Sequence, residues 1–138
     1  MPTKRSDKLK RLVAVQRQLE QMAELDLADT ARSRREVSET IDIVADAMGS
    51  AHPMHRLFSG QYAVQLDRLA QKDQMLANIQ QAHETRVMRE RAKGDRLEEN
   101  MRDARMAEDR EETDTAIYDL VDQFVLIAPP ASGKLGEQ

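Results

Sequence analysis

The chain has no cysteine and no tryptophan, and only two tyrosines, two phenylalanines, four prolines and five glycines. The missing thiol excludes a disulfide scaffold and any thiolate metal site, and it fits a reducing cytosolic compartment. Scarce aromatics and a mean hydropathy of -0.70 leave little apolar surface per residue for a globular core. No apolar run approaches the roughly 20 residues that span a bilayer. The longest, residues 124–128, is far too short. The basic start (Lys4, Arg5, Lys8, Lys10, Arg11) is followed by no apolar core, which reads against a secretory signal.

What is present is charge and periodicity. Charged residues make up 33% of a chain of 138 residues, a length that fits one domain. Such compositions with a helical period read as coiled coil or long helix. Disorder, the alternative for a polar chain, is opposed by sustained periodicity and by the lack of proline inside either periodic segment. Net charge is -4 but uneven: the first eighteen residues are basic, and residues 108–114 (EDREETD) are acidic. A bulk polyanion partner is not indicated. The basic start touches an acidic protein surface or is a solvated helix end, and the solvated reading is favoured.

One stretch breaks the pattern. Residues 49–60, GSAHPMHRLFSG, separate two long helical segments. The first helix is expected over about residues 6–48, with Ser6 as N-cap and Asp7 in the first turn. Its apolar stripe runs Leu9, Leu12, Val15, Leu19, Met22, then drifts through Ala23, Leu27 and Ala31. It resumes as Val37, Ile41, Val44, Met48, which predicts a stutter in the heptad. Gly49 reads as a left-handed C-terminal stop. In the linker, Met54, Leu57 and Phe58 either plug the open end of the hairpin or contact a partner, and the plug is favoured. The second helix is expected over about residues 61–124, with Tyr62, Leu66, Leu69, Leu76 and Ile79 on its stripe. Lys72, Asp73, His83 and Glu90 interrupt it. Gly94 allows close approach of the other helix, or a slight bend, at about 1 kcal/mol relative to alanine. Pro129 and Pro130 end the helix, and residues 129–138 read as a flexible tail.

The expected fold is therefore all-α: a long antiparallel two-helix coiled-coil hairpin with unequal arms, occupying residues 1–128. Folding back at the linker sets Met48 against Tyr62, Val44 against Leu66, Ile41 against Leu69, Met22 against Val87 and Leu12 against Leu97. Residues beyond about 105 then have no partner, although Ile117, Tyr118, Leu120, Val121 and Phe124 are strongly apolar. An unpaired apolar helix end is a binding surface by default. The alternatives are that it folds back or pairs with a second copy.

Enzymatic and metal chemistry find little support. His52 and His55 make a weak metal site without further ligands. His83 has no triad partner. Ser132-Gly133-Lys134 fails as a phosphate loop, because Ala128 stands where the first glycine belongs and Leu135 where serine or threonine belongs. Carboxylates such as Glu98 and Glu99 lie on a solvated rod, where no dry pocket separates their acidities. No basic stripe with stacking aromatics marks a nucleic-acid interface. Neither cofactor nor membrane insertion is expected.

The basic start KLKRLVAVQRQLE, the single hairpin break, the restart GQYAVQLDRL and the late segment EDREETDTAIYDL together resemble FliJ, the flagellar export component related to type III secretion stalk proteins. The resemblance covers roughly residues 5–125. It implies a hairpin similar to the central stalk of rotary ATPases. The paired terminal end would engage the export ATPase ring, and the hairpin end the export gate, with an escort role for export chaperones. Tyr62, Leu66 and Leu69 match the apolar restart, a candidate gate contact. Asp73, the acidic residues 108–114 and the apolar C-terminal end depart from the pattern. The expected role is a non-enzymatic stalk or coupling adaptor, cytoplasmic and peripheral at the membrane-bound export apparatus. The rival is a self-associating structural protein whose homodimer is a four-helix bundle.

Overall fold

Three helices account for nearly all of residues 3–127, the part of the chain described by the computed structural model. They are α1 (Arg5–Met48), the short α2 (Pro53–Leu57) and α3 (Ser59–Ile127). The expected tail, residues 129–138, lies outside the described residues. The fold is all-α, and the two long helices contact each other over most of the length of α1. Cross-helix pairs fix the direction. Lys4 meets Glu112, Arg17 meets Asp95, Asp26 meets Arg86 and Arg34 meets Asp73. Partner numbers fall as α1 advances, so the helices run antiparallel. The register agrees with the expected one to within roughly a turn.

The inward-facing residues follow one rule. On α1 the least exposed positions are Ser6, Leu9, Val13, Gln16, Glu20, Ala23, Leu27, Thr30, Arg34, Val37, Ile41 and Val44. Their spacing alternates three and four without interruption. On α3 the series Tyr62, Leu66, Leu69, Asp73, Leu76, Gln80, His83, Val87, Glu90, Gly94, Leu97, Met101, Ala104, Glu108 does the same. The predicted stutter is absent. The heptad keeps phase by admitting polar residues, whereas the apolar residues Leu12, Val15, Leu19 and Met22 lie outside the seam and are exposed. The expected pairs Met22–Val87 and Leu12–Leu97 therefore do not form the core. Val44, Leu66, Ile41 and Leu69 all occupy the seam as expected.

Several polar seam residues are paired across the gap. Gln16 donates to the Glu90 carboxylate and, at 3.2 Å, to its backbone carbonyl. Arg34 donates to Asp73 at 3.0 Å and to Gln80 at 3.2 Å. Asp73 and Glu90 thus belong to the seam rather than interrupting it. Among the described residues no buried side-chain nitrogen or oxygen lacks a partner. Such layers add little net stability but penalise slipped registers, which would strand them.

Three local expectations are corrected. Ser6 is not the N-cap: Lys4 is, without a side-chain bond, and Ser6 sits inside the first turn. Gly49 closes α1 at φ -81°, ψ -4°, in the right-handed region, with its N–H bonded to the Ala45 carbonyl and the Ser50 N–H to the Ala47 carbonyl. Gly94 receives a side chain rather than a helix backbone. A Cβ there would lie 2.7 Å from Arg17 Nη1.

Candidate functional site

The linker forms a real helical turn. Pro53 stands in the first turn of α2, where its missing N–H is harmless, and His52 Nδ1 accepts from Met54 N–H at 3.2 Å. The turn does not plug the hairpin. Met54 and Leu57 are 56 and 75% exposed, and Phe58, at 37%, is only partly covered. Only His55 turns inward, its Nδ1 lying 3.0 Å from the Tyr62 hydroxyl. Tyr62, Leu66 and Leu69 are half-buried in the seam, with Val64 exposed beside them. Among the described residues no three His, Asp or Glu converge to hold a metal ion. Residues 132–134 lie outside the described part.

At the opposite end the arms are unequal. Glu112 is the last α3 residue to reach α1, through Lys4 Nζ at 2.5 Å. Residues 113–127 project beyond it, about 22 Å of helix at the α-helical rise per residue. Every residue from 109 to 127 is exposed. The predicted site residues Ile117, Tyr118, Leu120, Val121 and Phe124 all stand here, joined by Val125, Leu126 and Ile127. Helix continues through Phe124 to Ile127, three residues past the expected end.

The stripe on this overhang is not a continuation of the seam. Extending the seam spacing past Glu108 gives Glu111, Thr115, Tyr118, Asp122 and Val125, which are mostly polar. The apolar positions Ile117, Val121 and Phe124 each precede a seam position by one residue, a rotation of about 100° around the helix. A longer α1 would not have covered them. The band faces sideways, toward something other than the hairpin.

Its root is anchored by charge. Glu108 accepts from the Ser6 N–H at 3.0 Å and from the Ser6 hydroxyl. It thereby satisfies a first-turn N–H that no α1 carbonyl can reach, at the positive end of the α1 dipole. Those hydrogen bonds hold its carboxyl below the usual range, and Glu112 raises the affinity of Lys4 for its proton. An open groove follows, lined by Lys4, Glu108, Glu111, Glu112, Ala116 and Asp119. The acidic segment is thus a cap for one helix and a charged collar below the apolar band.

Sequence reasoning missed a second surface. Leu12, Val15, Leu19 and Met22 were assigned to the seam because they are the most apolar residues nearby. Counting back by sevens from Val44 and Ile41 reaches Gln16, Leu9, Glu20 and Val13 instead. That count was available in the sequence. Among the described residues no helix is long and apolar enough to cross a membrane. Comparisons with protein-family models, with curated proteins and with solved structures give no match to this chain.

Proposed function

We propose that the protein is a non-enzymatic component of flagellar or type III protein export, a stalk or coupling adaptor between the export ATPase and the export gate or an escort for export chaperones. The unbroken heptad spacing of the two helices supports an antiparallel coiled coil. The observation that carries the functional reading is the overhang. A rod that ends in a single apolar helix above an acidic collar is suited to enter or grip a ring-shaped partner. Ile117, Leu120, Val121 and Phe124 would supply affinity, and the collar would steer the approach. At the other end, Leu57, Phe58 and Val64 flank the half-buried Tyr62, Leu66 and Leu69 and would make the gate contact. The place of action would be cytoplasmic, peripheral at the export apparatus.

Titration of the full chain with a purified export ATPase tests this. Binding at micromolar concentration, weakened at least about tenfold by Ile117→Ser with Phe124→Ser, is expected from the loss of two buried apolar side chains. Absence of binding at micromolar concentration, or equal binding by the variant, overturns the reading.

A further inference from the structure

Closing the hairpin leaves two apolar strips in solvent. On α1, Leu12, Val15, Leu19 and Met22 are 52, 55, 39 and 55% exposed. On α3, Ile117, Leu120, Phe124 and Ile127 are 51, 64, 73 and 79% exposed. Both strips step three, four, three. Both therefore occupy one helical face and cover the same length. Two parallel helices carrying such strips match layer by layer: Ile117 beside Leu12, Leu120 beside Val15, Phe124 beside Leu19, Ile127 beside Met22.

Within one chain this match is impossible. The helices are antiparallel, and Lys4 is already level with Glu112, so Ile117 lies beyond the end of α1. A second copy removes both obstacles. Set antiparallel to the first, it lays each overhang parallel to the other copy's α1. One two-fold axis then makes both pairings at once.

Charge favours the same occupant. The overhang and its collar carry Glu111, Glu112, Asp114, Asp119 and Asp122 against a single Arg110. The α1 strip is entered through Arg5, Lys8, Lys10 and Arg11. Beside it on α3 stand Arg89, Lys93 and Arg96, at the level fixed by the Arg91–Glu20 and Arg17–Asp95 pairs. Like helices side by side would bring acid to acid, whereas the exchanged arrangement brings acid to base.

We propose that the protein forms a two-fold homodimer in which the α3 overhang of each copy packs along Leu12, Val15, Leu19 and Met22 of the other. This dimer differs from two hairpins stacked as a four-helix bundle, because only the terminal halves overlap. It stands on the two strips and does not depend on the export reading. A partner that grips the overhang competes with it.

The cysteine-free chain makes the test direct. Leu19→Cys copies mixed with Phe124→Cys copies and oxidised are expected to yield a disulfide-linked species of twice the 15.7 kDa chain mass. Ile43→Cys, more solvent-facing than Leu19 but remote from the proposed contact, is expected to give none with Phe124→Cys. Light scattering of the unmodified chain is expected to show a dimer, and Phe124→Ser to weaken it about tenfold while helix content stays constant. A monomer at high micromolar concentration overturns the proposal. So does preferential linking of Phe124→Cys to itself.

Discussion

The two halves of the rod divide their apolar residues in opposite ways. Near the linker, Val37, Ile41 and Val44 face Leu66, Leu69 and Leu76, and the seam is nearly all hydrocarbon. Toward the termini the seam holds Ser6, Gln16, Glu20, Thr30 and Arg34 against Glu108, Gly94, Glu90 and His83. That half keeps Leu9, Val13, Ala23 and Leu27 with Val87, Leu97, Met101 and Ala104 in the seam. Leu12, Val15, Leu19 and Met22 on α1 and the apolar residues of the overhang stand outside it. The cross-helix ion pairs of the described residues all involve α1 positions from Lys4 to Arg34. One half uses the hydrophobic effect to close the hairpin. The other alternates apolar layers such as Ala23 and Val87 with hydrogen-bonded polar ones and leaves further hydrocarbon available for assembly. Exposed ion pairs are weak, so the terminal half is held in register more than it is held shut.

The contrast can be broken most strongly at Val44. Val44→Asp places a charge in the apolar seam and is expected to cost more than about 3 kcal/mol and to abolish cooperative melting. The matching change in the other half has the opposite character. Replacing Gln16 and Glu90 together by leucine removes a polar layer whole, and denaturation is expected to show unchanged or raised stability with weaker register control. A destabilisation comparable to Val44→Asp would show that the Gln16–Glu90 layer closes the terminal half as strongly as the apolar seam closes the linker half.

Acid separates the halves more gently. Hydrogen bonds from Ser6 lower the Glu108 pKa, and those from Gln16 lower that of Glu90. A carboxylate whose folded pKa is depressed contributes stability above its ordinary value near 4.5 and loses it as pH falls through the folded value. Amide protection, corrected for the intrinsic slowing of exchange in acid, is therefore expected to fall first in residues 5–20 between pH 6 and 3, with residues 37–48 protected longest. Ser6→Ala at neutral pH sharpens the same point. It removes the hydroxyl bond but keeps the N–H bond to Glu108, so only faster exchange in the first turns of α1 is expected. The smallest effect belongs to Gly94→Ala. Helix propensity gains up to about 1 kcal/mol. The Arg17 guanidinium must move away from the new methyl, and melting is expected to rise slightly or stay level.

The hairpin, its direction and its unequal arms could be read from the sequence, because a single break between two long periodic segments permits few arrangements. The overhang residues were equally visible, being apolar residues with no numerical partner. The terminal seam was not. Hydropathy there points to Leu12, Val15, Leu19 and Met22, while packing follows the heptad phase set by Val37, Ile41 and Val44. Unbroken contact between the two helices is favoured when polar seam residues find hydrogen-bond partners across the gap, as Gln16 does in Glu90. That pairing depends on which residues face each other, which hydropathy does not encode. The linker failed for a related reason. Met54, Leu57 and Phe58 are apolar, but a five-residue helix presents only part of its surface inward, and His55 takes that place.

The central claim is that the terminal half, and not the linker end, is the surface through which two copies associate. Hydrogen exchange of the full chain at low and high protein concentration tests it most directly. Residues 10–22 and 113–127 are expected to gain protection together as concentration rises, while residues 50–60 stay unchanged. Protection gained at residues 50–60 alone would contradict the claim.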